Sequence, residues 1–160
     1  FNSFGPGEVP GQYRNVIPNF VYWSILEKSL PLTGTGDETR DFTYVLDLVQ
    51  GLIKAGFYED AIGQAFNLAS GKETKIKDMI SMVNTATGNS TPITKFPPRK
   101  WDTKKRLLAS IELAGKLIDY KPIVSFEDGL KSNFEWFNNN WDQIQLAADF
   151  PIGMSSAVRK

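Results

Sequence analysis

The chain has 160 residues, enough for one domain with a core of its own. Lys+Arg and Asp+Glu number 18 each, so no basic excess advertises nucleic acid or an anionic membrane. An anion site must therefore be built from a few placed side chains. With no Cys and no His, thiolate chemistry and disulfides are excluded, and the commonest general base and metal ligand are missing. A chain without Cys fits a reducing compartment. It carries no signal-peptide pattern and no apolar run near the ~20 residues of a membrane span.

Residues 1–12 are rich in Gly and Pro and read as a loop. Asn15 stands where an N-cap would, and Ile17, Phe20, Val21 and Ile25 follow at helical spacing, so a helix is expected from there to about Ser29, before Pro31. Leu30-Pro31-Leu32 reads as a short extended piece and Thr33 to Glu38 as a turn. Thr39 to Val45 has strand composition. Leu46 to Ala55 reads as a second helix, apolar on most sides and therefore expected to be buried.

A strand is expected at Ala65–Leu68, then a third helix capped by Thr74, with Ile76, Met79, Ile80 and Val83 on one stripe. Residues 92–96 read as an edge strand. Ser110 is expected to cap a fourth helix through Ile118, and Ser125, followed by Glu127 and Asp128, a fifth. Leu130, Phe134, Phe137 and Trp141 form the buried face of that helix. The fold class is α/β (mixed α+β), with too few βα units for a complete parallel sheet. Residues 1–145 are read as one domain and 146–160 as a tail.

Gly34-Thr35-Gly36 begins like a dinucleotide fingerprint, but it lacks the third Gly and leads into a strand, so it reads as a turn. The adjacent carboxylates Asp37/Glu38, Glu59/Asp60 and Glu127/Asp128 sit where caps and solvated turns put acids. Arg40 could pair with Asp41 or fork onto a phosphate. Arg99-Lys100-Trp101-Asp102 is a surface loop or a grip for a phosphate, a ring and a hydroxyl.

Taken together, Phe1-Asn2-Ser3-Phe4-Gly5-Pro6-Gly7, Asn15-Val16-Ile17-Pro18, Pro31-Leu32-Thr33-Gly34, Thr39-Arg40-Asp41-Phe42-Thr43-Tyr44-Val45 and Phe66-Asn67-Leu68 resemble the extended short-chain dehydrogenase/reductase family. Tyr120-Lys121-Pro122 with Ser125 to Leu130 resembles its closing helices. The order and spacing match the region after that family's catalytic Tyr-x-x-x-Lys. No Tyr here has Lys four positions on: those positions hold Ile17, Leu26, Leu48, Ile62 and Val124. The resemblance thus implies a small, helix-rich substrate-binding part lacking most of the Rossmann sheet. It implies a cytoplasmic, homodimeric parent that uses NAD as a nucleotide-sugar epimerase or dehydratase. On its own the chain is expected to catalyse nothing.

Residue by residue, the resemblance puts Phe1 against the nicotinamide and Asn2 on the substrate diphosphate. It brings Asn15 and Val16 to the substrate, Pro31 and Thr33 beside the base, Arg40 and Arg99 onto the diphosphate, Phe42 beside the ribose and Asp102 onto a ribose hydroxyl. Where Thr33 stands the family often has an aromatic, and where Ser110 stands many relatives carry Asp. A UDP-sugar is the implied partner, with no nucleic acid, membrane or metal. The alternative is an interaction module of the same architecture, in which Trp23, Trp136 and Trp141 serve an interface as well as a core. A reductase of non-nucleotide carbonyls has no use for two diphosphate arginines.

Overall fold

The computed structural model describes residues 2–100, 103–148 and 150. The elements are β1 (Ser3–Phe4), α1 (Val16–Ile25), β2 (Pro31–Thr33), β3 (Thr39–Arg40), β4 (Thr43–Tyr44), α2 (Val45–Phe57), β5 (Thr74–Lys75), α3 (Ile76–Thr87), β6 (Thr94–Phe96), β7 (Arg106–Leu107), α4 (Glu112–Ile118), α5 (Phe126–Asn139) and α6 (Trp141–Ala147). A single 3-10 turn, Glu59–Ala61, follows α2. The class is mixed α/β, and helices outweigh strands. No helix among the described residues is long and apolar enough to cross a membrane.

The strands make three small sheets. β1 pairs with β4 and β2 with β6, both parallel. β3 is central in the third, antiparallel to β5 and parallel to β7. The apolar stripes of α1, α3 and α5 close over these strands. Ile17, Phe20 and Val21 of α1, Met79, Ile80 and Val83 of α3, and Leu130 and Phe137 of α5 share one core with Phe4, Phe42 and Tyr44. Gly129 lets α5 lie this close: a Cβ there would stand 2.8 Å from Tyr44 and 2.9 Å from Phe4.

Several elements differ from expectation. The run Thr39–Val45 is two strands in two sheets, broken at Asp41 and Phe42, and Val45 already opens α2. Asp41 Oδ1 accepts from the Ser70 amide (2.9 Å) and hydroxyl (2.6 Å), and Oδ2 from the amides of Gly71 (3.0 Å) and Ala109 (3.4 Å). That carboxylate draws loops in on one side while the chain crosses to join β1. Helix α2 is not buried; only Asp47 and Gly51 are, and Leu46, Leu52, Ile53 and Phe57 face outward.

Ala65–Leu68 forms no strand, because no ladder partner lies beside it; it rests instead on Gly51 of α2 through Leu68, and Asn67 Nδ2 donates to Ser110 O (3.2 Å). Helix α1 ends at Ile25, where Glu27 turns to φ 53°. Thr74 belongs to β5, leaving Lys75 at the N-cap of α3. Ile111, not Ser110, precedes α4. Ser125 caps α5 as expected: its Oγ accepts from the Asp128 amide (3.0 Å) and donates to Asp128 Oδ2 (2.6 Å). Trp141 opens α6 rather than extending α5.

Candidate functional site

A cleft of about 180 Å³ opens where β2, β3 and the starts of α1 and α3 meet the Pro98–Arg99 loop. Its walls are Asn2, Val16, Phe20, Pro31, Thr33, Gly34, Glu38, Arg40, Phe42, Ile76, Pro98 and Arg99. Seven residues picked from sequence therefore meet in one place: Asn2, Val16, Pro31, Thr33, Arg40, Phe42 and Arg99. Phe1 and Asp102 lie outside the described residues.

Each wall is held from behind. Asn2, at φ 31°, spends its Nδ2 on Asp41 O (3.1 Å), and its carbonyl accepts the Thr43 amide (3.2 Å). Asn is among the few residues that tolerate this backbone. Phe42 is buried, its ring 5.2 Å from Phe126 and 6.5 Å from Phe4. Pro31 and Thr33 are fixed by the register of β2 against β6, and the Gly34 amide donates to Phe96 O (3.0 Å).

The two arginines are set differently. Arg40 Nη1 donates to Thr39 O (2.8 Å) and Lys104 O (3.0 Å), which fixes the plane of its guanidinium. Asp41, its neighbour, is turned to Ser70, Gly71 and Ala109, so adjacency in sequence does not make them a pair. Arg99 has a buried Nε with no hydrogen-bond partner among the described residues. A buried donor left unsatisfied costs ~1–3 kcal/mol, more for a charged group, so this wall residue is short of an acceptor.

Glu38 is the wall residue that sequence reasoning assigned to a solvated turn. Its Oε2 accepts the Gly36 amide (2.9 Å), and a Cβ at Gly34 would stand 2.9 Å from Oε1. Gly34 and Gly36, both at φ 81°, fold the loop so that the carboxylate turns back into the cleft. Its own amide, then those of Gly36 and Thr35, holds its pKa below the usual carboxylate range against the opposing effect of burial.

Asn15 is not in the cleft. It lines a neighbouring hollow of about 440 Å³ with Ser3, Gly5, Gly7, Glu8 and Arg14. It holds the N-cap position of α1 as expected, but its Nδ2 donates to Glu8 Oε1 (2.8 Å) and its side chain makes no cap hydrogen bond. Burial raises the Glu8 pKa, while the Asn15 hydrogen bonds pull the other way. Nothing in the spacing of Glu8 and Asn15 announces this pairing; the Gly-Pro loop makes it. Among the described residues, no group of three or more potential metal ligands comes together.

Residues 1–69 match the model of the NAD dependent epimerase/dehydratase family. The solved structure of epimerase Mth375 from Methanothermobacter thermautotrophicus superposes with a TM-score of 0.92 at 51% identity, over 94% of this chain and 45% of its own. The chain belongs to the NAD-dependent epimerase/dehydratase family. Other family relatives include the UDP-N-acetyl-alpha-D-glucosaminuronate decarboxylase of Bacillus cytotoxicus, 30% identical over 142 residues, which are 86% of this chain and 44% of that protein. The Bordetella bronchiseptica enzyme WbmF, solved in complex with NAD+ and UDP, is 36% identical with a TM-score of 0.79, covering 91% of this chain and 46% of its own. The chain thus spans less than half the length of these epimerase/dehydratase family members.

Proposed function

We propose that this chain is the C-terminal, nucleotide-sugar-binding region of an NAD-dependent nucleotide-sugar epimerase, dehydratase or decarboxylase, and that the cleft takes the nucleotide diphosphate. The observation that carries the reading is the single cleft walled by Arg40 and Arg99 together with Pro31, Thr33, Val16 and Phe42. Two guanidiniums suit two phosphates because each fork matches phosphate oxygens at short, charge-assisted distances. The flat apolar wall of Val16, Pro31 and Phe42 suits a base and a ribose. WbmF, solved with UDP, and the named uronate decarboxylase favour UDP among nucleotides.

In this reading the arginines hold the remote end of the substrate. Binding energy realised there positions the sugar for reaction elsewhere, instead of taking part in the chemistry. The Gly34–Gly36 turn leads into β3, so no helix N-terminus follows it to receive a pyrophosphate. NAD, which supplies hydride exchange in this family, would be held mainly by the remainder of the parent protein. The chain alone is accordingly read as inactive.

Calorimetric titration of the intact protein with UDP and UDP-glucose tests the assignment. Arg40→Ala and Arg99→Ala should each weaken binding about 10- to 100-fold, as expected for losing ~1.5–3 kcal/mol of charged hydrogen bonding. Unchanged nucleotide affinity in both variants would remove the cleft from the binding site.

A further inference from the structure

A third of the chain's 18 Lys and Arg residues fall between positions 95 and 106, where Asp102 is the only acid. Because the whole chain is formally neutral, this segment is a local concentration of positive charge balanced by acids elsewhere. Lys95, Lys100, Lys104 and Lys105 are all exposed. None belongs to an ion pair among the described residues, and none lines the cleft itself.

The backbone of Lys100, Lys104 and Lys105 nevertheless borders the cleft. Lys95, by contrast, lies in β6 opposite the buried Leu32 of β2, on the strand face that alternates with the wall residues Pro31 and Thr33. Lys104 O accepts from the Arg40 guanidinium (3.0 Å), and Lys105 O from the Thr39 amide (2.9 Å), so this stretch is tied to the strand that carries Arg40. Lys100 follows Arg99 directly. The acids nearby cancel only part of the group: Asp102 subtracts one charge from the six of the segment. Glu73 is matched by Arg106 (2.8 Å) and Asp37 by Lys77 (2.7 Å). Glu38, inside the cleft, opposes it with one charge.

We infer that Lys100, Lys104 and Lys105 form a cationic rim that captures the anionic nucleotide and hands it to Arg40 and Arg99. The inference rests on reading the cleft as the nucleotide-diphosphate site. Exposed ammonium groups add little to a seated ligand because water and salt screen them. They do raise the local concentration of an approaching anion, with on-rate gains of ~10–10³-fold that fall as salt rises. The half-buried arginine and the exposed lysines thus divide the work: Arg99 sets how long the nucleotide stays, and the rim sets how often it arrives.

Stopped-flow association of a fluorescent UDP derivative with the intact protein, at several salt concentrations, separates these roles. Replacing Lys104→Glu and Lys105→Glu together should lower the association rate at low salt about 10-fold or more and flatten its salt dependence. The dissociation rate should stay within about twofold. Lys104→Gln with Lys105→Gln, which removes charge without reversing it, should give a smaller drop of the same kind and guards against misfolding as the cause. Association rates and salt dependence unchanged in both double variants would overturn the rim. So would a loss confined to the dissociation rate, which would make these lysines ligands of the bound nucleotide. No saturable binding by the unsubstituted protein would instead overturn the reading of the cleft, and the rim with it.

Discussion

Asp41 organises the ground behind the cleft from inside the protein. Its two oxygens collect three amides and a hydroxyl from Ser70, Gly71 and Ala109, and its own carbonyl receives Asn2. Asp41→Ala leaves those buried donors unpaired at ~1–3 kcal/mol each, so a loss of about 3 kcal/mol or more in urea unfolding is expected, with Asp41→Asn milder. An Asp41→Ala protein as stable as its parent would contradict that hub.

Tyr120 offers a second residue-scale test. Its buried phenol donates to Ala69 O (3.0 Å), and burial, then the charges of Asp47 and Asp41, push its pKa up to about 12. Since the folded phenol holds its proton more tightly than an unfolded one does, this contribution is complete below pH 10 and is lost between pH 10 and 12. By linkage it amounts to up to about 3 kcal/mol. Tyr120→Phe, which costs ~1 kcal/mol for the hydrogen bond, should lack this extra alkaline loss. Parallel stability curves for the two proteins above pH 10 would show that the phenol titrates freely.

At this scale the grouping of the cleft walls was largely legible through the family resemblance, since Val16, Pro31, Arg40 and Phe42 stand in the motifs that carry it. Glu38 was not legible, because its direction depends on two glycines at positive φ rather than on any neighbour's identity. The family resemblance brings Asn15 to the substrate; in the fold the loop returns Glu8 to its side chain, a pairing that no sequence spacing announces.

Elements with their own chemistry were readable. The Ser125–Asp128 pair announces α5, and Ser125→Ala should cost about 1 kcal/mol of stability, as lost N-caps do. The α3 stripe of Met79, Ile80 and Val83 is buried as its spacing requires. Two-residue strands carry no period to read, so β3 and β4 looked like one strand and β7 went unseen. Their register comes from tertiary contacts such as those of Asp41. Gly129 makes the same point within a helix. By propensity alone Gly129→Ala should help α5 by up to ~1 kcal/mol. The new Cβ would stand 2.8 Å from Tyr44 and 2.9 Å from Phe4, and overpacking of that kind costs ~1–3 kcal/mol. A lowered melting temperature is expected; a raised one would mean that β1 and β4 can retreat from α5.

For the whole molecule, α2 is the element whose sequence and surroundings disagree. A helix apolar on most sides belongs in an interior, yet Phe57 is 84% exposed, Leu52 58% and Ile53 57%, with Ile62 beyond them at 79%. Monomeric proteins rarely leave a continuous apolar face of this kind open. If the chain is one region of a longer enzyme, this face is where the remainder packs, and the misfit disappears in the parent. The isolated 160-residue chain should then self-associate at micromolar concentration in light scattering. Leu52→Lys with Ile53→Lys should make it monomeric at little cost in stability, since the side chains removed touch mostly water. In the intact protein the same pair should cost several kcal/mol, because two charges would be buried without partners. The opposite pattern, a monomeric isolated chain and an intact protein indifferent to both lysines, would leave α2 facing solvent or an outside partner and would favour an interaction module over half of an enzyme.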